Sequence, residues 1–467
     1  MGLSIEEKRK LLARKLEEKA ARTKKDVGLS EGQESLWFLQ QQVPDSAAYN
    51  TAFAVRICAR VDVAALERAL RKLVLRHGAL RTVFPLVDGR PVQAVYEYRA
   101  AGFEQIFVEE LSRDVVEAAY KRPFDLEKGP LFRVNLFTRT DDDHVLLLCF
   151  HHVICDAWSI WVVANELGQL LEAEMGGEAA SLPQAPDFGR FVAWQNEVVT
   201  KNEQWDYWQA HLQGDLPVLD MPLDKTRPNR LAMDGESVFF TVDQGLTAQV
   251  QEKARMLGVT PFVFLLSAYY VLLYRYSGQG DLIVGSPTTG RSKAEFSEMV
   301  GYLVNPIPLR AQFEGNRPFA ELVQAVRRSV LDGLKHQDFP LTTMIKRLPI
   351  KRQPNISPLF QAFFVYQKPQ VSLDWAREKN GRGVWGGLAI EPFEMTQMEG
   401  QFDLHLEMTE QADTLQGAFK FNPELWERET AERMMAQWQQ ILLSAVADVD
   451  CVRSAVCRCC RKRNGRR

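Results

Sequence analysis

The chain has 467 residues, too many for one ordinary domain, and its 57 basic residues are balanced by 60 acidic ones, so it lacks the cationic excess of a nucleic-acid-binding protein. No apolar run is long enough to span a bilayer, and the basic, helix-forming start lacks the apolar centre of a signal peptide. Both features exclude a membrane partner and point to the cytoplasm.

At the start, Ser4-Ile5-Glu6-Glu7 offers a capping box, and Leu12, Leu16 and Ala20 follow on one face of a charged helix that is expected to reach about Lys24. This makes residues 1–26 a leader helix. Gly28-Leu29-Ser30-Glu31-Gly32 then matches the pattern of a hydrolase nucleophile elbow. That elbow needs a buried strand directly before the serine, and the charged run Thr23-Lys24-Lys25-Asp26-Val27 is not expected to supply one. Ser30 is instead expected to cap a helix whose apolar face begins at Leu36 and Trp37. A strand near Thr51 to Ala59 and a helix from Val63 to Arg76 come next, with Leu66, Leu70, Leu73 and Val74 on one face and Gly78 expected to end it.

The run Val145 to Phe150 carries no charge and reads as an interior strand, while Trp158, Trp161, Val162, Leu167, Leu170 and Leu171 recur at helical spacing up to Gly176-Gly177. Between them lies His151-His152-Val153-Ile154-Cys155-Asp156-Ala157, which puts two imidazoles and a carboxylate on a strand-to-helix turn. Imidazole titrates close to working pH, so a positioned histidine can take a proton from an attacking amine or hydroxyl. Adjacent residues leaving a strand point in opposite directions, so one of the pair can face a given cavity while the other is packed inward. Alternation does not say which. The bland alternative makes both histidines core residues and Asp156 only the N-cap of the next helix.

Beyond a proline-rich crossing, Leu216 to Arg230, a strand is expected near Ser237 to Val242, helices around Val250 to Met256 and Pro261 to Tyr274, and a further strand at Leu282 to Gly285. Gly285-Ser286-Pro287-Thr288-Thr289-Gly290-Arg291-Ser292 is one residue short of a phosphate-binding loop. Arg291 stands where such loops use lysine and Pro287 removes one backbone amide, so nucleotide binding is not expected. Strands and helices alternate in both halves, which suggests two α/β layers. Cys58, Cys149 and Cys155 lie in apolar surroundings and are expected to be buried. Cys451, Cys457, Cys459 and Cys460 crowd an arginine-rich end, residues 451–467, without histidine or a zinc-like spacing. That end is expected to be a disordered tail with no metal.

Two histidines, three residues and an aspartate resemble the active-site motif of the condensation domains of nonribosomal peptide synthetases, relatives of chloramphenicol acetyltransferase. Other segments continue the resemblance in order. Leu29 to Leu39 is similar to the family's first motif and Arg76-His77-Gly78-Ala79-Leu80-Arg81-Thr82-Val83-Phe84 to its second. Phe191-Val192-Ala193-Trp194-Gln195, Val300-Gly301-Tyr302-Leu303-Val304-Asn305-Pro306, His336-Gln337-Asp338 and Arg352 to Phe360, with Asn355, Pro358 and Leu359, resemble the later ones. The likeness covers roughly Val27 to Asp450.

The resemblance implies an α/β fold of two chloramphenicol acetyltransferase-like lobes, residues 27–215 and 216–450, forming a V-shaped pseudo-dimer with a central tunnel. It implies attack of a carrier-bound aminoacyl amine on a carrier-bound acyl or peptidyl thioester, giving an amide. His152 would be base or positioner and His151 a supporting, inward-facing residue. Arg291 would form an ion pair with Asp156 that holds the histidine loop without performing chemistry. Ala157, Trp158, Ser159, Arg81 and Asn305 would lie next to the site. No cofactor would be bound by this chain, the 4'-phosphopantetheine arms being carried by partner proteins. The partners implied are an upstream donor and a downstream acceptor carrier protein, with other synthetase modules docking through the leader helix. The Asn305-Pro306 form of the fifth motif, with Ala47-Ala48-Tyr49-Asn50, resembles hybrid polyketide and peptide lines.

Two positions depart from the family pattern. Ala157 replaces a glycine, which would matter if the turn needed a positive φ, and Gly78 replaces an acidic residue. The alternatives are a catalytically degenerate condensation fold that recruits carrier proteins or tailoring enzymes, and an acyltransferase that forms esters with the same base. An epimerase-like relative is disfavoured because its additional glutamate motif is not evident.

Overall fold

The computed structural model describes residues 23–177, 180–231, 235–312, 317–351, 353–368, 383–393, 395, 401–411 and 413–449. The chain forms two compact units, and both are discontinuous in sequence. Residues up to 197, 291–304 and 370–397 make the first, and 198–290, 305–369 and 398 onward make the second. Where the sequence suggests a single division at 215, the contacts divide the chain at 197 and return two later segments to the first unit.

The first unit is built on a six-stranded sheet in the order Gly383–Trp385, Leu388–Pro392, Asn50–Ile57, Asp143–His151, Phe132–Thr140 and Gly102–Phe107. Neighbours are antiparallel except the last pair. Asp143–His151 is buried at every position, which explains why it reads as a continuous apolar run rather than an alternating one. Asn50 pairs with His151 on one side and Phe132 with Phe150 on the other, and the Phe132 and Phe150 rings stack at 4.6 Å. The end of the strand is therefore fixed by both neighbours before the chain turns.

Helix Val63–Arg76 forms over the expected span, because Asp62 caps it by accepting from the Ala65 amide and because Leu66, Leu70, Leu73 and Val74 are buried along one face. Helix Ala157–Gly176 packs against it and ends at Gly177, whose φ of 71° is the left-handed stop expected there.

The second unit holds another six-stranded sheet, in the order Glu236–Val242, Thr414–Phe421, Leu404–Gln411, Ala362–Gln367, Asp281–Thr288 and Asn305–Gln312. Its core helix Pro261–Ser277 is buried without interruption from Val263 to Leu273 and starts with Thr260 as cap and Pro261 in the first turn. Gly285 to Thr288 belong to a strand paired on both sides, so the segment that resembled a phosphate loop has no loop there. Gly285 serves packing instead, since a Cβ on it would lie 2.3 Å from the Phe360 ring.

Four expectations are corrected. Thr23–Val27 is a strand, paired antiparallel with Gln93–Tyr96, not the end of a helix, so a strand does precede Gly28. Gly78 does not terminate the preceding helix, which ends at Arg76 with His77 as cap, and begins a short 3-10 turn instead. Cys58 is exposed just past the end of strand Asn50–Ile57, while Cys149 and Cys155 are buried as expected. The strand expected to reach Ala59 stops at Ile57. The leader up to residue 22 and the cysteine-rich end from residue 450 lie outside the described residues. Among the described residues, no single helix is long and apolar enough to cross a membrane.

Candidate active site

His151 ends strand Asp143–His151 and His152 begins the 3-10 turn that follows, and the two differ in burial and in partners. His151 is 1% exposed. Its Nδ1 accepts from the Val153 amide at 3.1 Å, so its proton resides on Nε2, which is 3.3 Å from Gln40 Oε1. Gln40 is held in that orientation because its amide nitrogen donates to the Pro44 carbonyl at 2.8 Å and the Ser46 carbonyl at 3.3 Å. Burial, with a smaller contribution from neighbouring His152, pushes the His151 imidazole down to about 3, so it stays neutral. A ring so placed has both nitrogens engaged by protein groups, Nδ1 with the Val153 amide and Nε2 with Gln40.

His152 is half-buried. Its backbone amide donates to the Tyr49 carbonyl at 2.8 Å, and its Nδ1 is 2.7 Å from the Cys155 carbonyl. A carbonyl only accepts, so Nδ1 carries a proton, and in the neutral ring the lone pair lies on Nε2. Tyr302 meets the imidazole edge-on, with ring centroids 5.0 Å apart and planes at 90°.

Asp156 anchors this turn. Its carboxylate caps helix Ala157–Gly176 by accepting from the Ser159 amide at 2.8 Å and also accepts from the Leu303 and Val304 amides at 3.0 and 3.2 Å. Arg291 closes the arrangement with two parallel bonds, Nη1 to Oδ2 at 2.9 Å and Nη2 to Oδ1 at 3.0 Å, between side chains each 3% exposed. Burial alone would raise the Asp156 carboxyl, but the guanidinium and the Ser159 donors hold it below the usual carboxylate range. One carboxylate is therefore helix cap and ion-pair partner together, so the reading of Asp156 as only an N-cap does not hold. Arg291 Nη2 also donates to Ser159 Oγ and to the Met299 carbonyl, each at 2.9 Å. Trp158 donates from Nε1 to the Ser297 carbonyl at 2.8 Å. All these groups belong to the first unit.

Ala157 occupies the first helical position, and its φ is not among the positive ones, so the methyl group meets no backbone obstacle. Ser30 caps helix Glu31–Gln42 in a capping box with Gln33 and is 2% exposed. Although a strand precedes it, its hydroxyl is committed to the cap, which disqualifies it as an exposed nucleophile.

The family description Condensation domain matches residues 23–454. The chain belongs to the condensation domain family. This condensation domain is 33% identical over 437 residues to bacitracin synthase 3 of Bacillus licheniformis, a match that covers 92% of the chain and 7% of that protein. It is 32% identical over 436 residues to phosphinothricin tripeptide synthetase PhsC of Streptomyces viridochromogenes, covering 90% of the chain and 39% of the relative. The chain thus spans less than half the length of these curated relatives. The crystal structure of holo-AB3403, a four-domain nonribosomal peptide synthetase bound to AMP and glycine, superposes with a TM-score of 0.85 at 24% identity, over 92% of this chain and 34% of that one. The shared fold is the chloramphenicol acetyltransferase-like α/β fold.

Two residues that the sequence placed near the site have structural engagements within this condensation domain. Arg81 donates from Nε to the Val74 carbonyl at 2.9 Å and from its terminal nitrogens to the carbonyls of Leu75, Tyr96 and Glu97. Asn305 belongs to the second unit, where its Nδ2 donates to the Gln337 and Phe339 carbonyls at 2.8 Å and its Oδ1 accepts from the Leu341 amide at 2.9 Å. A cavity of about 480 Å³ in the first unit is lined by Arg76, His77, Gly78, Arg81 and Ile154 among others, but His152 is not part of its wall. Gln40 and Tyr302 were not singled out by sequence reasoning. Their contacts with the histidines cross between elements, and only the position of Tyr302 inside the fifth motif hinted at a role.

Proposed function

We propose that this condensation domain forms an amide by joining a carrier-bound acyl or peptidyl thioester to a carrier-bound aminoacyl amine, with Nε2 of His152 as the proton acceptor. The reading is supported above all by one observation: half-buried His152 is hydrogen-bonded to the Cys155 carbonyl through Nδ1, so Nε2 is the nitrogen left to meet a substrate, whereas the adjacent His151 is buried with both ring nitrogens engaged. The relative named a tripeptide synthetase supports the choice of an amide product.

The donor carbonyl arrives activated as a thioester on a 4'-phosphopantetheine arm of an upstream carrier protein, and the amine arrives on the arm of a downstream carrier. The amine nitrogen bonds to the thioester carbonyl carbon, and the proton lost from nitrogen passes to His152 Nε2. The carbon–sulfur bond then breaks and the departing sulfur takes the proton as a thiol. No acyl-enzyme is required. Bringing two tethered reactants together supplies several kcal/mol, and a well-placed base contributes a further factor of about 10² to 10⁴. Asp156 and Arg291 hold the turn and exchange no proton.

His152→Ala is expected to slow product formation between two loaded carriers by about 100-fold or more, with an unchanged circular dichroism spectrum and melting temperature. Mass spectrometry of the condensed product reads the outcome, and unchanged turnover would remove His152 from the chemistry. Ester formation is tested by offering a hydroxyl-bearing acceptor in the same assay. Binding of both carriers without product would favour the recruiting alternative. A cytoplasmic setting accords with this use of intracellular carrier proteins.

A further inference from the structure

We propose that Tyr302 is a positioning residue whose ring fixes the plane of the His152 imidazole, and that Gly32 lacks a side chain in order to seat that ring. The proposal rests on the assignment of His152 as the proton acceptor and extends it to the group that orients it.

Three observations converge on residue 302. Its ring stands at 90° to the imidazole with centroids 5.0 Å apart. In this arrangement the positive edge of one ring meets the negative face of the other, and rotation of either is restricted. The same tyrosine ring lies against Gly32 of helix Glu31–Gln42, where a Cβ would fall 2.5 Å from Tyr302 Cε1 and 2.9 Å from Cδ1. Glycine in a helix is less stable than alanine, so its use there has a spatial reason, which the tyrosine ring supplies.

The backbone around Tyr302 is pinned on both sides by the histidine turn itself. Gly301 accepts from the Asp156 amide at 3.1 Å and exchanges hydrogen bonds with Ser159 Oγ, while the Leu303 and Val304 amides donate to the Asp156 carboxylate. The Asp156–Arg291 pair thus does more than rigidify a loop. It carries Tyr302 to the imidazole that the same loop presents. A single hydrogen bond from Nδ1 to the Cys155 carbonyl leaves the ring free to rock about that contact, and the perpendicular ring of Tyr302 removes the remaining freedom.

The test uses the full chain carrying ¹³C-labelled histidine, in which seven histidines give few enough signals for His152 to be assigned from the His152→Gln spectrum. Tyr302→Ala is expected to shift the His152 ring resonances, because the ring current of the tyrosine is lost, and Tyr302→Phe is expected to leave them close to wild type. With carriers loaded with an acyl and aminoacyl pair that the wild type joins, Tyr302→Ala is expected to lower kcat by about 10- to 100-fold at little change in KM, and Tyr302→Phe to restore it. Gly32→Ala is expected to reproduce the Tyr302→Ala effect alone but to add nothing in the Tyr302→Ala background, where the added methyl has space.

Unmoved His152 resonances in Tyr302→Ala would overturn the proposal. So would a Phe variant as slow as the Ala variant, which would assign the effect to the hydroxyl. Failure of the base assignment looks different: His152→Ala would keep turnover while the resonance shifts persisted.

Discussion

The two six-stranded sheets treat the polar ends of their inner strands in opposite ways. In the first unit, strand Asp143–His151 is buried throughout and is followed by a half-buried imidazole whose Nδ1 bonds to the Cys155 carbonyl. In the second, strand Ala362–Gln367 ends in polar residues that close on the neighbouring strand. The Tyr366 hydroxyl donates to Glu410, Gln367 donates to Glu407 at 3.2 Å, and Lys420 pairs with the same glutamate at 2.8 Å. Similar layers therefore serve different ends. Polar groups that satisfy one another stabilise a sheet, whereas chemistry needs a group whose neighbours orient it and leave one atom unspent. In the first unit that orientation comes from the turn beyond the strand, where Asp156 and Arg291 are almost fully buried.

Breaking the buried pair should give the largest stability effect. Arg291→Ala leaves the Asp156 carboxylate without its cation, and urea unfolding is expected to show a loss of about 3–5 kcal/mol together with loss of turnover. A smaller effect follows from the sealed histidine. His151 has its folded value at about 3, below an ordinary histidine at about 6.5, so the unfolded chain takes up the proton first as the solution is acidified. Its stability contribution is complete above about pH 6.5 and is lost progressively toward pH 3, about 2 kcal/mol of it by pH 5. Urea midpoints measured between pH 7 and 5 should fall, and His151→Gln should flatten that fall. His211 in the second unit is also lowered by burial and adds to the slope in both proteins, so the difference between them isolates His151.

Tyr366→Phe tests the second sheet, with an expected loss of about 1 kcal/mol in urea melts and turnover within twofold of wild type. A larger fall in turnover would place chemistry where only packing is assigned. Ala157→Gly should matter least. Ala157 already has a helical backbone, so restoring the family glycine is expected to cost about 0.5 kcal/mol and to change turnover less than twofold.

Much of this was legible where a local rule decides the structure. Val63–Arg76 was marked by its apolar face and Ala157–Gly176 by its spacing and its glycine stop, and Ser30 and Asp156 read as caps because their side chains answer the amides a helix start leaves open. The Asp156–Arg291 pair joins residues 135 positions apart and was visible only through resemblance to a family. Strand Thr23–Val27 was missed because its charged residues carry no strand pattern of their own and its pairing partner lies at Gln93–Tyr96. Alternation could not choose between His151 and His152, since a strand has two faces and the choice depends on what each face meets. Phe124 and Gln40 against His151, and Tyr302 against His152, make that difference.

Residues 291–304 complete the first unit although they are encoded after residues 198–290 of the second. Recombination that transplants the histidine-bearing half as one contiguous cassette, ending near residue 197, would therefore deliver the imidazole without its guanidinium brace or its aromatic neighbour. Hybrid enzymes made at that junction are expected to keep His152 in sequence and lose it in geometry, unless the donor of the later segment supplies a matching arginine and ring.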